Sequence, residues 1–309
     1  MIGSDKDMFS KLKRLFGNKK FLIAFIIILI VLISITLVAT VFSKDNIRNA
    51  VWINGKLMNN VDLDELSYNG VENIFLNSNA VDLYGEKKVS NWINNANNKG
   101  IKVHIWVKCF YNGKWINPID NNTKDHNYDY FNKKIAEINK YANIEGVSGI
   151  HLDYVRYPGN AYKYQSASKP TPSQAITKFV EMVSNNLNSN NKHLTLSIAV
   201  MPEKEDKYYY GQDISALSAY VDVIVPMIYM GNYEKGANWL NETTHYFKEK
   251  SGFANVCIGI QSYESDNNVT PLPKKELRTI CQGALDSGAD GVALFTYGLI
   301  NWFNLNSLI

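Results

Sequence analysis

The residues of this sequence best suited to chemistry are acids that close apolar runs. Asp153 ends the run Gly149-Ile-His-Leu-Asp153, with His151 two positions behind it and Arg156 three beyond. A buried carboxylate without a partner costs several kcal/mol, so packing alone does not place one there. Glu203 follows the run Leu194–Met201 across Pro202, Glu264 follows Val256–Tyr263, and Asp82 is a weaker candidate after Asn73–Ser78. Two carboxyl groups across a glycosidic bond can hydrolyse it. One, protonated, assists departure of the leaving oxygen, and the other attacks the sugar or activates water. Asp153 with Glu203 is the pair the sequence favours. Two plainer readings stand beside it: an Asp153–Arg156 ion pair that pins a loop, and Glu203 as a solvated acid within Glu203-Lys-Glu-Asp206.

Trp106, Tyr157, Tyr229, Tyr263, Phe295 and Tyr297 also fall near the ends of apolar runs. Flat rings with polar edges suit sugar faces. Together with His151, Arg156, Lys108, Gln261 and Glu264 they are the candidate substrate-binding residues. Other chemistries fit less well. The three cysteines have no zinc spacing. Cys109 falls out of register with inward His104 and Trp106, Cys257 comes early in its run, and Cys281 lies in a predicted helix. No G-x-G-x-x-G follows any apolar run, and Glu264-Ser-Asp-Asn-Asn268 reads as a polar loop rather than a calcium site. No metal and no cofactor is expected.

Elements must bring these residues together. The apolar runs are Val51–Asn54, Asn73–Ser78, Ile101–Phe110, Val147–Tyr154, Leu194–Met201, Val221–Met230, Val256–Tyr263 and Val292–Tyr297. Helical segments alternate with them near 61–68, 86–98, 128–142, 173–188, 213–219, 236–249 and 273–287. Gly100 and Gly288 stand where helices should stop, and Thr171-Pro172-Ser173 reads as a helix start. Eight strands alternating with helices over residues 51–309 predict an α/β fold, a (β/α)8 TIM barrel. Side chains alternate along a strand. Val103, Ile105 and Val107 should therefore face the helices, and His104, Trp106 and Lys108 the interior. Likewise Ile150 and Leu152 should face out, and Gly149, His151 and Asp153 in. The polar positions gather at the carboxyl ends of the strands, the rim where barrel enzymes hold their chemistry. Asp222 and Asp290 open the sixth and eighth strands, at the other rim, and read as structural.

Phe21–Phe42 is an uncharged stretch of 22 residues, roughly 33 Å as a helix and enough for a bilayer core of about 30 Å. It predicts one transmembrane helix ahead of the barrel, with a basic tail at 1–20 and a polar stalk at 43–50. Residues 1–50 hold eight Lys/Arg and three Asp/Glu, so the overall charge of +3 leaves −2 on the remaining 259 residues. The positive charges precede the apolar span, which predicts a cytoplasmic N-terminus and a barrel outside the cell. The body offers no basic surface for nucleic acid. Sequons at Asn121, Asn241 and Asn268 fit an external location without requiring it.

The segments Gly149–Pro158 (GIHLDYVRYP), Val221–Tyr229 (VDVIVPMIY) and Gly291–Gly298 (GVALFTYG) resemble the fourth, sixth and eighth strands of glycoside hydrolase barrels distantly related to chitinases and amylases. Met201-Pro-Glu203, Tyr209-Tyr-Gly-Gln-Asp213 and Met230-Gly-Asn-Tyr233 resemble glycosidase-like surface proteins of methanogenic archaea more specifically. Chitinase-like enzymes carry D-x-x-D-x-D-x-E on the fourth strand. Here Val155 stands where the final Glu should be, and His151 where an Asp should be. An amylase-like scheme, with Asp on the fourth strand and Glu on the fifth, matches better. It implies Asp153 as nucleophile and Glu203 as acid/base, with retention if the carboxyls stand about 5–5.5 Å apart.

The expectation is a membrane-anchored extracellular glycoside hydrolase acting on a cell-wall or surface polysaccharide. The alternative is a degenerate, non-catalytic barrel that binds glycan at the cell surface. A transglycosylase would share the same residues.

Overall fold

The computed structural model describes residues 46–164, 170–189 and 193–308, together with Ile23, Phe25 and Ile27. The chain divides into two units, Met1–Ser43 and Lys44–Ile309. Of the first, the three described residues are helical. The expected span 21–42 and tail 1–20 otherwise lie outside the described residues, among which no helix is long and apolar enough to cross a membrane.

The second unit is a closed barrel of eight parallel strands: β1 (Asn49–Ile53), β2 (Asn73–Asn77), β3 (Lys102–Lys108), β4 (Gly149–Asp153), β5 (Thr195–Val200), β6 (Val223–Ile228), β7 (Asn255–Gln261) and β10 (Gly291–Phe295). Each pairs with its sequence neighbour among the barrel strands, and β10 closes on β1 with Asn49 opposite Val292. A short antiparallel hairpin, β8 (Tyr263–Ser265) and β9 (Asn268–Pro271), rises after β7.

The helices follow the predicted rhythm: α1 (Leu63–Tyr68), α2 (Asn79–Tyr84), α3 (Glu86–Asn97), α4 (Tyr128–Ala142), α5 (Pro172–Ser189), α6 (Asp206–Tyr210), α7 (Ile214–Leu217), α8 (Ala237–Lys250) and α9 (Lys274–Asp286). Side-chain caps set several starts. Asp62 accepts from the N–H groups of Asp64 and Glu65, and Asn127 from that of Tyr130. The short α2 and α6 and the hairpin were not expected; α2 and α6 lack the side-chain caps that Asp62 and Asp213 give the equally short α1 and α7.

Strand alternation divides the apolar residues into two layers. Val103, Ile105, Val107, Ile150 and Leu152 join the large core between sheet and helices. Ala50, Trp52, Phe75, Trp106 and Cys257 fill the barrel interior. Gly149 is required there: a Cβ would lie 2.2 Å from Nδ1 of His104 and 2.4 Å from the Thr195 carbonyl. Asp222 and Asp290 are structural, as read. Asp222 accepts the Leu196 N–H, and Asp290 accepts Lys248 Nζ and the Val256 N–H.

The stalk expected over 43–50 is corrected at its end. Ile47 is fully buried in the interior cluster, and β1 begins at Asn49 rather than Val51. Asn49 looks too polar for a barrel strand, but its amide donates to the Gly70 carbonyl at 3.0 Å, which satisfies it inside.

Candidate active site

A cavity of about 390 Å³ opens at the carboxyl ends of the strands. Asp153 is its most buried acid, 7% exposed and directly opposite Lys108 in the β3–β4 register. Its two oxygens are held differently. Oδ2 accepts the Trp106 indole N–H at 2.9 Å, and Oδ1 accepts the Tyr154 backbone N–H at 2.6 Å. Burial raises the Asp153 pKa above its ordinary value, and this outweighs the lowering by those two donors and by the charges of Arg156 and Lys108. A carboxyl tuned upward keeps its proton longer, which suits a general acid.

Arg156 makes no ion pair with Asp153 among the described residues. Its guanidinium lies 4.9 Å from the Trp115 ring centre, 5.3 Å from that of Tyr154 and 5.4 Å from that of Tyr210, and Nη1 donates to the Tyr157 carbonyl. The plain reading of Asp153 as one half of a loop-pinning pair therefore lacks its contact.

Phe295 and Tyr229 form another wall, stacked with ring centres 5.3 Å apart. Trp52 and Trp106 close the floor, each edge-on to Phe295. Asn232 and Asp266 line the cavity from the β6 and β7 loops. Buried Gln261 fixes them. Its Nε2 donates to Asn232 Oδ1 at 3.0 Å, and the same oxygen accepts the Asp266 N–H at 2.8 Å. The Asp266 carboxylate accepts the Tyr263 hydroxyl at 2.8 Å, which helps burial push the phenol up to about 12. Gly231 lets the hairpin come this close, since a Cβ there would sit 1.7 Å from the Glu264 carbonyl oxygen.

Of the residues singled out from sequence, Asp153, Trp106, Lys108, Arg156, Tyr229 and Phe295 therefore line one cavity. Glu203 is set behind it. Its Oε1 accepts the hydroxyls of Tyr210 at 2.8 Å and Tyr233 at 3.0 Å, and only Tyr233 reaches the cavity wall. His151 faces inward, as its register requires, but one layer deeper. It is fully buried, stacked on Phe75 at 3.9 Å, with Nε2 accepting the Trp52 indole N–H and Nδ1–H donating to Ser197 Oγ. Tyr157 packs in the outer core with its hydroxyl on Asn117. Gln261 and Tyr263 support the wall from behind, and Glu264 is exposed. The Tyr297 hydroxyl donates to the Asn60 carbonyl and accepts the Asp62 N–H, so it ties a rim loop. Val155, at the position aligned with the chitinase acid, is fully buried in the outer core.

Sequence reasoning did not single out Trp52, Tyr154, Asn232, Tyr233 or Asp266 as site residues. Trp52 carried a usable signal, an inward position near the end of β1. The others sit on loops, where no periodicity speaks. Two larger hollows, of about 720 and 820 Å³, are lined by helix and loop residues alone and hold no strand-end acid.

Comparison with solved structures returns glycan-processing barrels. The glycoside hydrolase domain of PgaB (BpsB) from Bordetella bronchiseptica superposes with a TM-score of 0.61 at 10% identity, over 81% of this chain and 94% of that one. The spore cortex-lytic enzyme SleL of Bacillus cereus gives 0.60 at 13% identity, over 86% and 75%. A glycoside hydrolase family 18 N-acetylglucosaminidase from Paenibacillus barengoltzii gives 0.58 at 13%, over 85% and 99%. At such identities the likeness is one of fold. Comparison with curated proteins finds no match. Residues 75–252, more than half of the sequence, match the family described as "Putative glycosyl hydrolase domain". The chain belongs to that glycosyl hydrolase family.

Proposed function

We propose that this protein is a glycoside hydrolase acting on a cell-wall or surface polysaccharide, held at the membrane by residues 21–42 with its barrel outside the cell. The carrying observation is Asp153: a buried carboxyl with a raised pKa, facing an aromatic-walled cavity at the strand ends. It protonates the leaving oxygen. Asp266, whose hairpin follows β7 across the barrel from β3, is the other carboxylate on the cavity wall and acts as the partner that activates water. Glu203 positions the Tyr233 hydroxyl rather than meeting substrate itself. The charge asymmetry around 21–42 supports the anchoring and its direction. The solved structures of like fold include an N-acetylglucosaminidase and a cortex-lytic enzyme, which makes wall glycans the first class to assay.

The test is release of reducing ends from wall polysaccharides by the full-length protein in detergent. Asp153→Asn should abolish release. Turnover unaffected by that change would overturn the assignment. Glycan binding without turnover by the unaltered protein would establish the non-catalytic alternative instead.

A further inference from the structure

We infer that the β3–β4 side of the cavity is a subsite for a carboxylated sugar, its acid group held between Lys108 and Arg156. The inference rests on the glycan reading of the cavity and names the substrate class. Neutral sugars need only rings and neutral hydrogen-bonding groups, yet this wall carries two cations. The Lys108 side chain is exposed and, among the described residues, makes neither an ion pair nor a hydrogen bond. Its Nζ stands 5.6 Å from the centre of the Tyr154 ring and 6.0 Å from that of Trp106. Arg156 reaches the same Tyr154 ring at 5.3 Å. Its Nη1 is engaged, but its Nε is buried without a hydrogen-bond partner. A guanidinium is the side chain suited to holding a carboxylate through its N–H donors, and a lysine beside it adds a point charge.

Tyr154 organises this wall under strain. Its φ is +53°, the left-handed region that a side chain larger than glycine rarely occupies. That conformation stacks its ring on Tyr111 at 5.1 Å and brings it within reach of both cations. Strain of this kind persists where the surrounding structure has a use for it. Neither cation makes an ion pair with the cavity's own acids among the described residues, although the charges of both reach Asp153 and lower its pKa. Asp153 is committed to Trp106 and the Tyr154 N–H, and Asp266 lies on the far wall with Tyr263.

The experiment uses full-length protein in detergent and three probe pairs: oligosaccharides of polygalacturonate, hyaluronate and glucuronoxylan, each beside its carboxyl-reduced form. Binding is measured by calorimetry on the Asp153→Asn variant, so that turnover does not intervene. At least one acidic form should bind tenfold or more tightly than its reduced partner, and added salt should weaken it. Lys108→Ala and Arg156→Gln should each erase the preference, and Lys108→Arg should retain it, which separates lost charge from lost folding. Equal affinity within every pair, or a preference that survives loss of both cations, overturns the inference. Cleavage of reduced polymers as fast as acidic ones also overturns it and leaves the hydrolase reading standing. Acid-selective binding with no polymer cleaved by the unaltered protein supports the subsite and sinks the hydrolase reading.

Discussion

The Trp106 indole N–H lies 2.9 Å from Oδ2 of Asp153, and both side chains point into the barrel from adjacent strands. The bond stabilises the ionised carboxylate and so opposes the burial that raises its pKa. The Tyr154 backbone N–H opposes burial most, the Trp106 bond next, and β-sheet register sets that second bond.

Trp106→Phe removes the donor and keeps most of the ring. Asp153 should then hold its proton to higher pH. The alkaline limb of kcat/KM should move upward, and kcat should fall about tenfold as the carboxyl loses its fixed orientation. A pH–rate profile of the variant against the parent reads both effects. An unmoved limb would mean that Asp153 is not the titrating acid.

Three acid-to-amide changes separate the carboxyl roles. Asp153→Asn and Asp266→Asn should each lower kcat by about 10²–10⁴-fold, the usual worth of a proton-transferring group. Glu203→Gln should cost much less in kcat, because an amide oxygen can still accept the Tyr210 and Tyr233 hydroxyls. A collapse of activity in Glu203→Gln with little effect of Asp266→Asn would restore Glu203 to the catalytic pair.

Much of this site was legible because strand alternation is strict. The inward placing of Trp106, Lys108, His151 and Asp153 follows from one rule applied to two segments. Depth was not legible. His151 and Asp153 share a face, yet only Asp153 reaches the cavity, because the interior is filled in layers and Trp52 and Phe75 roof the histidine. Loop geometry was not legible either. Nothing local in Glu264–Asn268 announces a hairpin that brings Asp266 to the cavity wall. That depends on nearby Gln261 and on Gly231 and Asn232, which lie more than thirty residues back in the chain and meet it only in space. Glu203 was placed correctly beyond β5, but its direction is decided by two tyrosines from different loops.

His151 should behave as a structural residue that stays neutral. Burial, and then His104, push its pKa well below 6.5. The unfolded chain therefore takes up a proton that the folded barrel refuses. The sign follows: this residue's contribution to stability is complete above pH 6.5 and declines as pH falls below it. His151→Ala should cost about 2–4 kcal/mol, since it opens a void beside Phe75 and strands the Trp52 N–H. Denaturant unfolding near neutral pH, repeated at mildly acidic pH, measures both, and the penalty should shrink on acidification.

Asp206 titrates in the opposite sense. It is 2% exposed, its Oδ2 has no hydrogen-bond partner, and burial raises its pKa from 3.8 to about 8, with Asp213, Glu203 and Glu205 adding to the rise. Between those values the folded state holds a proton that the unfolded chain has released. Stability should therefore decline as pH rises through that window. Asp206→Asn keeps an oxygen that can accept the Lys207 N–H and abolishes the titration. The variant's melting temperature should vary less with pH across the window than the parent's, and should exceed it most at the alkaline end. If the two curves ran parallel, Asp206 would be ionised in the fold, and α6 would have to carry a buried carboxylate whose Oδ2 has no hydrogen-bond partner among the described residues.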